Sequence, residues 1–173
     1  MVKVDESELD QLKQHSLVVA DTGDFSLIDQ YQPEDSTTNP TLILQVAKKP
    51  DFADILEASI KFGLLHFQTY TAPPTKSKKK HEPKAVEWGD LSAEQRGELI
   101  ELIFDHLCVS FGVKILEKVK GFVSTEVDAK LSFNKNETVK RAKRIIALYE
   151  QAGISAERIL IKIASTWEGI KAG

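Results

Sequence analysis

The sequence predicts an α/β protein built on a parallel sheet. Short apolar runs typical of buried strands recur near residues 17, 36, 122 and 159, in alternation with segments of helical periodicity. Polar or charged residues stand where these runs end, at Asp21, Asn39, Glu126 and Lys162. Active sites of parallel α/β proteins lie at the carboxyl ends of the strands, so we expect these four side chains to share one site.

Composition limits the classes of protein to consider. The chain has 173 residues, of which 42% are apolar and 28% are charged, which fits one folded domain or part of a larger one. The net charge of -3 gives no general attraction to nucleic acid or to an anionic membrane. The single cysteine, Cys108, excludes an internal disulfide framework, and we find neither a membrane-length apolar run nor a signal peptide. We therefore expect a cytoplasmic protein without nucleic-acid or membrane partners.

The first half of the chain predicts two helices and two strands. A short helix is indicated over 7–15, followed by a strand over 17–20 that ends in the turn residues Asp-Thr-Gly-Asp. Residues 36–38 form a second short strand before the break at Asn39-Pro40. An amphipathic helix then covers 50–63, and Gly63 is expected to end it as a C-terminal cap.

A stretch of different composition follows. Residues 64–90 include TAPPTKSKKKHEPK, which is rich in proline and lysine and has no periodicity, so we predict a flexible basic insert within the domain. KSKKK is also compatible with a nuclear import signal, although a solvated insert is the simpler interpretation. The four histidines of the chain lack the spacing of metal ligands, and no metal site is predicted.

Strand and helix alternate again in the second half. The capping box that starts at Ser92 begins a helix with apolar residues at helical spacing, and this helical region continues towards Gly121. FVSTEV is the third strand, and Asn134 opens another helix that Gly153 closes. The fourth strand is ILIK, after which Ser165 or Thr166 caps a last short helix.

Lys162 is the most informative of the four strand-end residues. It interrupts the apolar run RILIKIAS, and burial favours the neutral amine, which can attack a carbonyl to form a Schiff base. Carbon–carbon bond chemistry at a carbonyl also needs proton-transferring carboxylates, a role open to Glu126 and Asp21. Simpler interpretations stay open: Lys162 faces water or pairs with an acid, Glu126 is solvated, and Asp21 and Asn39 shape turns. An ionised carboxylate close to Lys162 would also oppose its activation.

Four motifs carry a resemblance to a known family. VVADTGDF, YQPEDSTTNPTLIL, GFVSTEVDAKLSF and YEQAGISAERILIKIASTWEG resemble, in order, the motifs of transaldolases. The resemblance implies a (β/α)8 TIM barrel that transfers a dihydroxyacetone unit from sedoheptulose 7-phosphate to glyceraldehyde 3-phosphate in the pentose phosphate pathway. It also implies sugar phosphates as partners and neither a metal nor an organic cofactor.

The same resemblance assigns the site residues. Lys162 matches the Schiff-base lysine, Asp21 the proton-transferring aspartate, and Glu126 the glutamate that works with a catalytic water. Residues that match the substrate-binding part of the motif are Asn39, Thr37 and Thr38.

Length is the main departure from the family. A barrel of this type takes about 250 residues and eight strands, whereas residues 1–173 supply about the first four β/α units of a partial TIM-barrel domain. We expect a truncated chain with exposed barrel edges that form a homodimer or otherwise self-associate. One alternative is a catalytically inactive fragment that acts at most as an interaction protein. A remote alternative is an aspartic protease, from the Asp-Thr-Gly in VVADTGD, although a second such motif is missing and helical periodicity dominates.

Overall fold

The computed structural model describes residues 7–71 and 84–173 of the chain. At its centre is a four-stranded sheet in which sequence neighbours pair in parallel, in the order β1-β2-β3-β4. The strands are β1 (Val19–Asp21), β2 (Asp35–Thr37), β3 (Val123–Glu126) and β4 (Ile159–Lys162). The predicted α/β class and the four predicted strand positions are thus confirmed.

Helices connect and cover these strands. The α-helices are α1 (Glu8–Lys13), α2 (Phe25–Tyr31), α3 (Pro40–Ala47), α4 (Ala53–Thr71), α5 (Ala93–Leu116), α6 (Lys135–Gln151) and α7 (Trp167–Ala172). Short 3-10 helices lie at Pro50–Phe52, Trp88–Asp90, Ala129–Leu131 and Ala156–Arg158. The predicted caps are present, since Ser92 and Asn134 accept hydrogen bonds from the first turns of α5 and α6, and Thr166 caps α7.

The prediction that a helix ends at Gly63 is wrong. Helix α4 continues through Gly63 to Thr71, and Phe67 on this extension is buried. A Cβ atom on residue 63 would lie 2.3 Å from Cγ1 of Ile103 in α5, so the glycine allows two helices to approach closely rather than ending one. Residues 64–71 of the predicted insert are therefore helical, Val86 donates to the carbonyl of Leu64, and residues 72–83 lie outside the described residues.

The sequence predicts only a break in the chain at the position where helix α3 begins. Asn39 is its N-cap, with the side-chain oxygen 3.0 Å from the amide nitrogen of Leu42, and Pro40 occupies the first helical position. This combination favours a helix start, because proline there loses no hydrogen bond and its φ angle suits the helix. Helix α3 begins three residues after β2 ends, so its amino end lies near the carboxyl edge of the sheet.

The principal core lies between one face of the sheet and helices α5 and α6. Val123 and Ile159 point from the strands into this core, together with apolar residues of both helices. Tyr149 of α6 is fully buried, and its hydroxyl lies 2.6 Å from Oγ1 of Thr125 in β3. A second cluster joins α3 to α5 through Ile43 and Phe111. The helices thus cover one face and fix the position of β3.

One half-buried histidine joins α4 to α5. The ring of His106 stacks on Phe62 with centroids 4.0 Å apart, and its Nδ1 lies 3.0 Å from Oγ of Ser59. Burial, with a smaller contribution from the charge of His66, lowers the pKa of His106 from its ordinary value of 6.5 to about 4. Folding therefore favours the neutral ring.

A pH dependence of stability follows from His106. The unfolded state takes up its proton first as the pH falls below 6.5, so the contribution is present above that value and is lost towards pH 4. Because His106 keeps partial contact with water, we expect the free energy of unfolding to fall by only about 1 to 2 kcal/mol over this range. Urea titrations at several pH values should show a smaller fall for His106→Asn than for the unaltered chain. If the free energy of unfolding falls equally with pH in both proteins, His106 is not the cause of the pH dependence.

Within residues 7–71 and 84–173, the helices are too short or too polar to cross a lipid bilayer.

Candidate functional site

The alternation of side chains along the strands brings the predicted residues to one face of the sheet. Asp21 pairs in register with Thr37, and Glu126 pairs with Lys162. Thr37 in turn pairs with Ser124, which lies two residues before Glu126 and so points to the same side. Four residues from four strands therefore share the face opposite the core, near the carboxyl edge.

Lys162 and Glu126 are in direct contact. The Nζ atom of Lys162 lies 3.1 Å from Oε2 of Glu126 and donates a 3.0 Å hydrogen bond to the carbonyl oxygen of Thr38. The side chains of the lysine and the glutamate are 39% and 24% exposed. Lys162 is thus half-buried on an outer strand and paired with an acid. The sequence analysis left this pairing open as an alternative to a fully buried lysine.

The Thr-Thr-Asn segment presents different groups from those that the sequence suggested. The Thr38 side chain is 2% exposed, and its hydroxyl donates to the carbonyl of Ser124, so Thr38 offers the site its backbone carbonyl. Asn39 uses its side-chain oxygen to cap α3, which leaves its amide N–H groups for other partners. Thr37 is half-buried on the same face as Lys162.

An open cleft of about 560 Å³ lies at the carboxyl edge of the sheet. Asn39, Glu126 and Lys162 line it, as predicted residues brought together by the fold. The other predicted residues lie outside this lining: Asp21, which is exposed at the end of β1, Thr37 and Thr38. The volume falls within the range of small-ligand sites, and the lining offers an amine, carboxylates and an amide to a polar ligand.

The lining of the cleft also contains two polar residues that sequence reasoning did not single out. Thr41 lies in the first turn of α3, and Asp128 belongs to the loop between β3 and α6. Asp128 follows Glu126 by two residues. The search for polar residues at the carboxyl ends of strands would have found it if that search had included the first residues of the following loop. A hydrogen bond from the amide nitrogen of Val127 to the carbonyl of Lys162, 2.9 Å long, ties the start of this loop to β4.

The described residues provide no ready metal centre. No group of three or more histidine, cysteine, aspartate or glutamate side chains is placed there to hold an ion. A second cavity of about 380 Å³ lies between α4, α5 and α6, where Phe62, His106 and Leu148 line it, and it contains none of the predicted site residues.

A parallel sheet with helices on one face and polar groups gathered at its carboxyl edge defines a protein of the α/β class. Comparison with known proteins identifies the family within this class: the model of the family described as Transaldolase/Fructose-6-phosphate aldolase matches residues 18–173. The chain belongs to this family.

Similar proteins agree with the family match. The chain is 49% identical over 168 residues to a transaldolase of Cricetulus griseus, 48% identical over the same length to one of Homo sapiens, and 47% identical over 171 residues to one of Saccharomyces cerevisiae. These matches cover 97%, 97% and 98% of the chain but 42%, 42% and 43% of the relatives. The chain thus spans less than half the length of these relatives.

Proposed function

We propose that the chain carries the Schiff-base part of a transaldolase site and transfers a dihydroxyacetone unit from sedoheptulose 7-phosphate to glyceraldehyde 3-phosphate in the pentose phosphate pathway. The observation that carries the proposal is the contact between Lys162 and Glu126, in a cleft that Asn39 also lines. Family membership supports a transaldolase-type activity, and the cleft supplies the groups that such a reaction needs. Sugar phosphates are the proposed ligands, and the cytoplasm is the proposed compartment.

The chemistry starts at the Lys162 amine. In its neutral form the amine attacks the ketone carbon of the donor sugar, and loss of water from the carbinolamine gives an imine. Glu126, whose Oε2 forms an ion pair with Nζ at 3.1 Å, is placed to move protons in this dehydration, directly or through one water. A charged Lys162 amine must lose a proton before it attacks, and Glu126 is the carboxylate in contact with Nζ that can take it up.

Cleavage follows from the imine. A base removes the proton from the donor hydroxyl adjacent to the breaking carbon–carbon bond, an aldose leaves, and the electron pair is held as an enamine. This enamine attacks the carbonyl of the acceptor aldose, and hydrolysis frees Lys162 and the product. By family resemblance we assign the base to Asp21, on the same sheet face. Asn39 would donate its free amide N–H groups to substrate hydroxyls, with Thr37 beside it.

Borohydride trapping tests the proposal. The chain is incubated with fructose 6-phosphate as donor, reduced with borohydride, digested and analysed by mass spectrometry for a reduced dihydroxyacetone adduct. An adduct on Lys162 is the expected result. A folded sample without an adduct would instead favour the alternative of a catalytically inactive fragment that acts through interactions, while an adduct spread over exposed lysines would contradict a specific site.

We also propose that the outer edges of β1 and β4 mediate self-association. In the described part of the chain these two edges carry no further strand, and Val19 and Leu160 are half exposed on the adjoining sheet face. A two-fold rotation about an axis along the strands keeps strand direction, so β4 of one copy can pair in parallel with β1 of another, and two four-stranded sheets would make the eight strands of a closed barrel.

Sedimentation velocity provides the measurement for self-association. We expect the sedimentation coefficient to rise with protein concentration towards that of a dimer. Leu160→Lys, on the open face, should shift this equilibrium towards the monomer, whereas Ile100→Lys, an equally exposed site on α5, should not. A monomer at every concentration tested would contradict pairing through the sheet edges.

A further inference from the structure

A row of ion pairs with alternating charges leads from the buried interface of α5 and α6 to the loop that borders the cleft. Arg141 of α6 contacts Asp105 at 3.0 Å and also contacts Glu101, both on α5. The side chains of Arg141 and Asp105 are each only 7% exposed, so the inner ion pairs of this row are desolvated and fixed in position. Arg144 binds the second oxygen of Asp105 at 2.7 Å. Both carboxylate oxygens of Asp105 therefore have arginine partners.

Lys130 extends this row of ion pairs to the cleft. Its Nζ atom contacts the Glu101 carboxylate and lies 3.5 Å from Oδ2 of Asp128. The backbone amide of Lys130 donates a 2.9 Å hydrogen bond to Oδ1 of Asp128. Both oxygens of Asp128 therefore have partners within the loop. The hydrogen bond to Glu101 is the main cause that raises the pKa of Lys130, which keeps it charged.

Asp128 lies close to the reacting amine without contacting it as an ion pair. It lines the same cleft as Lys162, and the intervening Val127 is hydrogen-bonded to the Lys162 carbonyl. Other charged or polar groups face Lys162 from each neighbouring element. They are Glu126 on β3, the Thr38 carbonyl after β2, Asn39 at the start of α3, and Asp21 further along the sheet face. Glu126 alone among these carboxylates is within ion-pair distance of Nζ in the described residues.

We propose that Lys130 is a positioning residue that holds the Asp128 carboxylate within its own loop, so that Glu126 is the acid in contact with the Lys162 amine. This proposal deepens the proposed function, because it concerns how the amine can lose its proton. A second carboxylate turned towards Lys162 would stabilise the ammonium form. At a partly solvated separation of roughly 6 Å, one extra negative charge lowers the neutral fraction about three- to tenfold.

Trace acetylation measures the state of the amine without any sugar phosphate. The folded chain is treated with a small amount of acetic anhydride at a series of pH values, and labelling of the Lys162 peptide is quantified by mass spectrometry. Lys130→Met should raise the labelling midpoint by about half to one pH unit, a three- to tenfold slower reaction below it. In the double variant with Asp128→Asn, the midpoint should return to that of Asp128→Asn alone.

Two controls separate charge from structure. Glu101→Gln removes a partner of Lys130 but leaves Lys130 beside Asp128, so the midpoint of Lys162 should stay near its original value. Lys140→Met removes an exposed ion pair of α6, with Glu137, away from the cleft, and should have no effect. If Lys130→Met does not fold, Asp128→Asn and Glu126→Gln still decide: the second should lower the midpoint clearly more than the first.

The proposal is overturned if Lys130→Met leaves the midpoint unchanged, if the double variant stays as slow as Lys130→Met, or if Asp128→Asn shifts the midpoint as far as Glu126→Gln. Failure of the proposed function is a separate result. It would show as no sugar adduct after borohydride, while the acetylation series still reports how Lys130 and Asp128 act on the amine.

Discussion

Replacing Lys162 by methionine is expected to abolish formation of the borohydride-stable adduct with fructose 6-phosphate. Methionine keeps the length and much of the apolar contact of the lysine stem but has no amine to form the imine. Because the covalent step depends on that one atom, the expected effect is complete loss rather than a graded decrease. The measurement is the intact mass of the reduced protein, followed by peptide mapping.

A matched substitution makes this loss interpretable. Lys140→Met removes one amine from an exposed position on α6, where the side chain is 74% exposed, and should leave the adduct and its position unchanged. Circular dichroism should show the same helix content in both variants. An adduct of undiminished yield in Lys162→Met would mean that another amine reacts, and the assignment of the nucleophile would be wrong.

The strands and their ends could be predicted because their physical causes are local. Apolar runs followed by turn or polar residues place β1 and β4 within one or two residues of their actual bounds. The caps at Ser92 and Asn134 were predictable for the same reason, since a capping side chain and the amide that it binds are three residues apart. The fold class then follows from the alternation of these elements.

Gly63 shows where local reasoning fails. A glycine after an amphipathic stretch is typical of a helix end, and only the position of Ile103 on another helix reveals that this glycine serves a close packing contact. The two residues are far apart in sequence, so their contact depends on the tertiary fold. The same holds for α4 beyond Gly63, where burial of Phe67 favours helix at the start of the predicted insert.

Three of the residues that line the cleft, Asn39, Glu126 and Lys162, were predictable from the sequence, but their arrangement was not. Polar residues at strand ends identified Glu126 and Lys162, yet their contact depends on the register of β3 against β4, which the sequence does not specify. The roles of Asp128 and Lys130 depend on one loop conformation and on Glu101 from a different helix. Thr38 illustrates the converse, since its buried side chain leaves only its carbonyl at the site.

A second large effect is expected at the support of β3, where two glycines of α5 offer a matched pair. A Cβ atom on residue 112 would lie 1.8 Å from the hydroxyl oxygen of Tyr149, whereas one on Gly97 would meet nothing within 4 Å. Tyr149 is fully buried and hydrogen-bonded to Thr125, so it has no free space into which to withdraw. The same substitution therefore has opposite consequences at the two positions.

Gly112→Ala is expected to lower the free energy of unfolding by about 2 to 4 kcal/mol, because overpacking and disruption of the Tyr149 hydrogen bond outweigh the gain in helix propensity. Gly97→Ala should instead raise it by about 0.5 to 1 kcal/mol. Urea unfolding of both variants checks the pair, and similar values would contradict the packing argument. Thr125 immediately precedes Glu126, so displacement of Tyr149 should also reach the site. If Gly112→Ala stays folded, we expect slower adduct formation at Lys162, because the ring that holds β3 in place has moved.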